Sequence, residues 1–406
     1  MKKLVVFCTV LIGVLASCKK NKADITINDI PVPVAKSSMQ PFLFANGDEL
    51  LLSWTEKIND SLASIHYAEY LNEKWSAPIK VAEEYNLFVN WADFPAIAKN
   101  NENILIHYLQ KSAPTTYAYD VHLLVSSTNG NTFNTDFLLH NDNTKTEHGF
   151  VTMLPYKDNF FVTWLDGRNM TGNEHGEEHG SNGAMNIRAA TVLSTGDVID
   201  DVLLDAKTCE CCQTSAAITA KGPIVVYRDR TENEVRDISI SRFIDGSWTI
   251  PKSIHNDNWV IKGCPVNGPK ATAFNATLAV AWFTAADNVP KVNLIFSDDS
   301  GSTFNKPIQI DDGKPIGRVD VALLDEDNAL VSWMESTKKN AEIKILKVNK
   351  DGTTSKPIVI TEISASRASG FPQLELVNGT IYVAWNAIED DTTTIKMKSV
   401  DTTIFN

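Results

Sequence analysis

The chain repeats itself, and repetition at a near-constant spacing constrains a fold more than any single motif does. Seven short runs close on an aromatic residue: "ELLLSWTEK", "NILIHYLQK", "NFFVTWLDG", "PIVVYRDR", "LAVAWFTA", "ALVSWMES" and "IYVAWNAI". The aromatics are Trp54, Tyr108, Trp164, Tyr227, Trp282, Trp333 and Trp385, spaced 54, 56, 63, 55, 51 and 52 residues apart. Each run is rich in aliphatic and β-branched side chains, which suit a pleated strand. A short apolar segment precedes each run, as in "FPAIAK", "GFVTML", "TSAAIT" and "FPQLEL". Two more strand-like segments follow, as in "SIHYAEY" and "SAPIKVA". Helix-period patterns are absent from the repeats, and turn residues punctuate them.

Four antiparallel strands recurring every fifty or so residues predict an all-β chain, a β-propeller with one four-stranded sheet per blade. Seven aromatics predict seven blades rather than six, in one domain over residues 38–406. The seventh unit runs out after three strands, near "TIKMKSVDTTIF", and "DITINDIPV" at residues 24–32 is predicted to supply the missing outer strand. The repeated aromatics are expected to pack between blades and not to line a ligand cage.

The first residues point to a compartment. Lys2 and Lys3 precede "LVVFCTVLIGVLA", an apolar run too short for a comfortable membrane span, which reads as a secretory signal over residues 1–17. It ends in "LASC", Leu15 to Cys18, which resembles the lipobox of a bacterial lipoprotein. That resemblance implies cleavage before Cys18, acylation of Cys18, and a lipidated tether over residues 18–37 that includes the closing strand. The expected location is the bacterial cell envelope, with a membrane anchor in the outer rather than the inner membrane. Loss of Lys2 and Lys3 takes the formal net charge from −13 to −15, which argues against nucleic acid as a partner.

Two turns refine the fold. "SDDSGSTF", Ser297 to Phe304, matches the Asp-box pattern S-x-D-x-G-x-T-F/W, and "SSTNGNTF", Ser126 to Phe133, is a degenerate copy. With these turns the chain resembles the sialidase-like, Asp-box (BNR) propellers over residues 38–406. The resemblance implies a glycan or other anionic small ligand, and an exo-α-sialidase or related glycan-processing hydrolase. The alternatives are a non-catalytic binding or assembly propeller and a copper- or zinc-binding protein.

Propeller topology puts the starts of inner strands and the ends of second strands on one face, opposite the Asp-boxes. Arg318 in "GRVDV" and Arg367 in "SRASGF" stand at the mouths of consecutive inner strands, and arginine offers a planar fork suited to carboxylate. The resemblance implies an arginine triad, for which Arg228, Arg318 and Arg367 are the candidates, and an acid, for which Asp93 is. The family's Arg-Ile-Pro signature is missing, since "MQPFLFANG" holds no arginine, and no Tyr-Glu nucleophile pair is assigned. The dense run "YRDRTENEVRD", residues 227 to 237, is expected to be a solvated hairpin of paired surface charges.

"TCECCQTS", residues 208–215, gathers Cys209, Cys211 and Cys212 in one turn. Cys212 lies fifteen residues before Tyr227 and Cys264 eighteen before Trp282, so both are predicted near the mouths of adjacent inner strands, with all four sulfurs on one spot. Two disulfides, a labile redox pair, or a thiolate copper or zinc site remain open, the last completed by His148, His175 or His179. His175 and His179 sit in "NMTGNEHGEEHGSNG", residues 169 to 183, a loop lengthening blade 3.

Overall fold

The computed structural model describes residues 26–170, 183–389 and 392–405. Seven antiparallel sheets follow one another along the chain, each beginning at its innermost strand. They span residues 38–85, 97–138, 148–205, 215–253, 270–309, 315–363 and 373–401, here blades 1 to 7. In blades 1 and 4 the outer strand is split into two short pieces that pair with the same third strand. Blade 7 takes its fourth strand from the other end of the chain: Ile27–Ile30 runs antiparallel to Thr392–Asp401, with Ile27 opposite Val400 and Ile30 opposite Met397. Helical structure among the described residues is limited to three single 3₁₀ turns, and no helix there is long and apolar enough to cross a membrane.

The seven repeated aromatics are buried, from Trp164, Trp282 and Trp333 at 0% exposure to Trp385 at 4%. They fill the wedges between blades, and truncating one to Ala is expected to cost about 3–5 kcal/mol. Three of them find partners for their buried polar edges: Trp164 Nε1 donates to Asp166 (2.9 Å), Trp333 Nε1 to Glu335 (2.7 Å) and Tyr227 Oη to Asp205 (2.6 Å), whereas the buried Trp54 Nε1 has none. Leu43, Leu52 and Trp54 of blade 1 share an apolar cluster with Ala384, Ile395 and Met397 of blade 7, which closes the ring.

Between the third and fourth strands of blade 5, the Ser297–Phe304 turn is held by Asp299. Its carboxylate accepts from Ser297 Oγ (2.8 Å), Thr303 N (2.8 Å) and Thr303 Oγ1 (2.8 Å). At the opposite face the blades are latched to one another by side chains that accept backbone amides. Asp93 of the blade 2 approach takes Phe150 N (2.6 Å), Asn267 takes Arg318 N (2.7 Å), Asp320 takes Leu374 N (3.0 Å) and Asn386 takes Gln40 N (3.0 Å). Three latched residues, Gln40, Phe150 and Arg318, hold positive φ of 59°, 52° and 53° at bulges that break the register of their inner strands. Such backbone is costly for side chains of this size, and bulges of this kind re-aim side chains at rims.

Candidate functional site

Residues 90–94, "NWADF", reach from blade 2 across the mouth of the central channel. Gln40 Nε2 of blade 1 donates to the carbonyl of Asp93 (2.6 Å), and Gln213 Nε2 of blade 4 donates to that of Ala92 (2.8 Å). Trp91 stacks on Phe371 at the start of blade 7 (centroids 5.7 Å, planes 15° apart), and Lys270 of blade 5 stands over the Phe94 ring at 5.9 Å. With the Asp93–Phe150 latch to blade 3 and the Arg318 contact below, this short segment touches every other blade. Gly149 is required by its approach, since a Cβ there would lie 2.4 Å from Asp93 Oδ2.

Arg318 and Arg367 meet on the Trp91 ring, with guanidinium carbons 5.0 and 5.9 Å from its centroid. Arg318 is buried at 5% exposure and donates to the carbonyls of Gly370 (2.8 Å) and Ser366 (3.2 Å). Burial, and then the neighbouring Arg367 charge, bring its pKa down to about 10. Arg367 itself is exposed. Arg228 is a different case. It is 1% exposed, and its N–H groups donate to Asn267 O (3.1 and 2.8 Å), Arg236 O (2.7 Å) and Phe283 O (2.7 Å), while its guanidinium lies 4.8 Å from the Trp259 ring centroid. The structure therefore brings two of the three expected arginines together and commits the third to tying blade 4 to blade 5.

Asp93 faces the central channel, a cavity of about 430 Å³ also lined by Gln213, Lys270, Asp320, Gln373 and Glu375. Burial, relieved in part by the Phe150 amide, pushes its pKa up to about 7. Glu375 reaches about 8 through burial and the nearby Asp320, and Lys270 lies 3.8 Å from Asp320. The channel is thus lined by carboxyls that resist ionising, Asp93 among them.

The cysteines converge. The sulfurs of Cys209, Cys211 and Cys212 all lie within 4.8 Å of one another, with Cys209 Sγ 3.4 Å from Cys212 Sγ, and Cys264 is near enough to Cys211 to help push its thiol up, after burial and the other two thiols. All four are free thiols; Cys209 and Cys212 are buried, Cys211 is half-buried and Cys264 is exposed. The charge run expected to be a solvated hairpin folds into this cluster instead. Arg236 is 0% exposed and donates to Cys209 Sγ (3.2 Å), Glu210 (2.9 Å) and Glu234 (2.9 Å). Arg230 pairs with Glu234 and Glu210, and Asp237 accepts the amides of Asn258 (2.9 Å) and Trp259 (3.0 Å). Every buried charge here has a partner, which is the condition for burying it. Burial opposes ionisation of Cys209, but hydrogen bonds from Cys211 and Cys212 and the Arg236 charge outweigh it and hold its pKa well below the usual thiol value.

His148, expected beside the sulfurs, lies elsewhere, at the junction of blades 2 and 3. Its ring stacks on His140 (centroids 3.6 Å, planes 6° apart), and its Nε2 is 3.2 Å from Asp142 and 3.7 Å from Asp166. Asp120 Oδ1 is 3.8 Å from His140 Nε2 and 3.9 Å from His148 Nδ1. Arg168 clamps Asp166 with two N–H groups (both 2.7 Å) and lies 3.4 Å from Asp142. His175, His179 and Cys18 lie outside the described residues. Sequence reasoning missed Glu210, His140, Asp142 and Phe371. For Glu210 the only signal was its place between two cysteines.

No protein-family model and no curated protein matches the sequence. Solved structures with a similar fold include a phage phi92 endosialidase (9% identity, 93% of this chain and 69% of that one, TM-score 0.53). Another is the polysaccharide lyase Uly1 (10% identity, 89% of each chain, TM-score 0.52). A third is a Mycobacterium tuberculosis puromycin-hydrolyzing peptidase (10% identity, TM-score 0.51), of which this chain, over 92% of its own length, covers 53%. At these identities the likeness bears on the fold alone, the seven-bladed propeller that the sheet order shows.

Proposed function

We propose that this chain is an envelope-anchored propeller that binds an acidic saccharide at the rim where Arg318 and Arg367 meet Trp91. The observation that carries this reading is that one aromatic ring holds two guanidiniums, one buried and committed, the other exposed. An aromatic face packs against the apolar face of a sugar ring, and a free guanidinium offers paired N–H donors to a carboxylate or sulfate. Two of the structurally similar chains are named for action on glycans, which supports the ligand class; the third is a peptidase, so the fold by itself does not choose.

Binding is favoured over hydrolysis, because Arg228 is committed to backbone carbonyls and Asp93 is turned into the channel. A glycan-processing role remains as a second reading on one observation, the Asp93 carboxyl at about 7, a value suited to a general acid. A fluorogenic sialoside separates the two. Under the binding reading it is not turned over; turnover that falls as pH rises through 7 and vanishes in Asp93→Asn would establish the second.

The anchor rests on "LASC" and is tested apart from the ligand. Labelling cells with a clickable fatty acid should mark the wild type and spare Cys18→Ala. Equal labelling of both would remove the anchor from the reading.

A further inference from the structure

We infer that Cys209, Cys211 and Cys212, with Cys264 at the outer opening, form a binding site for a cuprous ion between blades 4 and 5. The saccharide reading makes no use of these residues, and this inference stands apart from it.

Three observations carry the site. The first is spacing: the three sulfurs lie within 4.8 Å of one another and the closest pair is 3.4 Å apart. A metal bonded to sulfur at about 2.3 Å holds trigonal ligands roughly 4 Å apart, so shifts of a few tenths of an ångström complete the shell. The second is rigidity. Thr208 N donates to Met185 O (2.8 Å), Cys209 N to Arg228 O (3.1 Å) and Arg236 to Cys209 Sγ, so the turn is fixed from three directions before any ion arrives. The third is the donor set. Glu210, the one carboxylate inside the cysteine run, has its oxygens held by Arg230 and Arg236, and His148 stands with His140 at another junction. Sulfur alone remains to face the ion.

An all-sulfur set selects soft or borderline guests, copper(I) and zinc above all. Charge and coordination decide between them. A fully buried guanidinium 3.2 Å from one ligand, with Arg228 close behind, repels a divalent ion about twice as strongly as a monovalent one. Structural zinc asks for four ligands in a tetrahedron. Here the three clustered sulfurs are set in or near the core and the fourth, on Cys264, is exposed. Cuprous ion is satisfied by three thiolates. Each thiol that ligates releases its proton to solvent, and the ion's oxidation state does not change. Cys264, exposed at the opening near Cys211, is placed to pass the ion inward by ligand exchange.

The test is an anaerobic titration of the reduced full-length chain in detergent with copper(I) held by bicinchoninate, read by loss of the chelator's colour. The wild type should withdraw about one equivalent. Cys209→Ser and Cys212→Ser should each lose at least about 100-fold in affinity, and Cys264→Ser about 10-fold. A wild type that withdraws no copper overturns the site, as does withdrawal by Cys209→Ser and Cys212→Ser equal to that of the wild type. Zinc taken from a chromophoric chelator while copper(I) is refused overturns the choice of ion. Should the buried variants fail to keep the wild-type near-ultraviolet dichroism, Cys211→Ser, at a half-buried position, carries the same test. Four cysteines isolated as disulfides that reductant does not open would also reject it.

Discussion

Two clusters of buried ionisable groups sit at blade junctions on one face of the ring, and they differ in what they leave open. Between blades 2 and 3 the carboxylates of Asp142 and Asp166 are already served by cations of the chain, with Arg168 in a two-pronged clamp and His148 3.2 Å away. Between blades 4 and 5 the carboxylates are equally well served, Glu210 and Glu234 by Arg230 and Arg236, but the sulfurs have only each other and one N–H. The first has its charges paired within the chain, although Asp120 Oδ1 and His148 Nε2 are buried there without a hydrogen-bond partner, and reads as architecture. The second pairs its hard charges, leaving Arg236 Nε over, and is open for soft ones. The arginines repeat the contrast: Arg228 is closed by three backbone carbonyls, whereas Arg367 is left exposed. Groups that the fold has not committed are where ligands are expected.

The largest effect should come from opening the closed half of the thiol junction. Arg236→Ala removes the fully buried cation from Glu210 and Glu234, leaving only part-buried Arg230 beside them, and should destabilise by about 3–5 kcal/mol in urea unfolding. The matching change at the other junction, Arg168→Ala, should cost about 1–3 kcal/mol, because Arg168 retains some solvent contact and His148 remains beside the carboxylates. Equal costs would erase the distinction between the two clusters.

The junctions should also differ in their response to pH. Asp142 is held well below its ordinary value: burial opposes this, but the neighbouring His148 and the Thr144 hydrogen bonds outweigh it. Its contribution is present above an unfolded value of 3.8 and is lost as pH falls. His148 is raised from 6.5, with Asp142 and Asp166 overcoming burial, so its contribution is full below 6.5 and lost as pH rises through the higher folded value. His148→Gln should therefore cost most between about pH 4 and 6.5 and progressively less above, read as urea midpoints. A cost independent of pH would show that the histidine is neutral throughout. Asp93 has the opposite sign. Its carboxyl is raised from 3.8 to about 7 by burial, so the folded state loses stability as pH climbs through that interval. Asp93→Asn keeps an acceptor for the Phe150 amide and should be the more stable protein above pH 7, with the two curves meeting in acid. The smallest effect belongs to exposed Cys264, where Ser should change stability by no more than about 0.5 kcal/mol.

What could be read without coordinates was what repeats or what sits close in the chain. Seven aromatics at similar spacing implied seven blades, and the three-strand end of the last repeat implied a donated strand, which Ile27–Ile30 supplies. Counting back from Tyr227 and Trp282 placed the cysteines on one rim. What stayed hidden were partnerships between blades. Nothing local in "YRDRTENEVRD" distinguishes a solvated hairpin from one whose Arg228 and Arg236 are buried, because the deciding acceptors, Asn267, Phe283 and Glu210, come from other turns. His148 was paired with sulfur because both were near strand mouths; its true neighbours, His140 and Asp142, come from the blade 2–3 connection. "NWADF" carried no sign that it would cross the channel mouth, since that path is set by contacts with six other blades.

The uncommitted guanidinium beside Trp91, and not the committed one at Arg228, is proposed to receive the ligand. Isothermal titration of the full-length chain with a sialylated trisaccharide, and with its neutral counterpart as control, tests it most directly. Heat is expected with the acidic sugar and none with the neutral one. Arg367→Ala should lose about 10-fold or more in affinity with the urea midpoint unchanged. No heat with the acidic sugar, or equal affinities for wild type and Arg367→Ala, would contradict it.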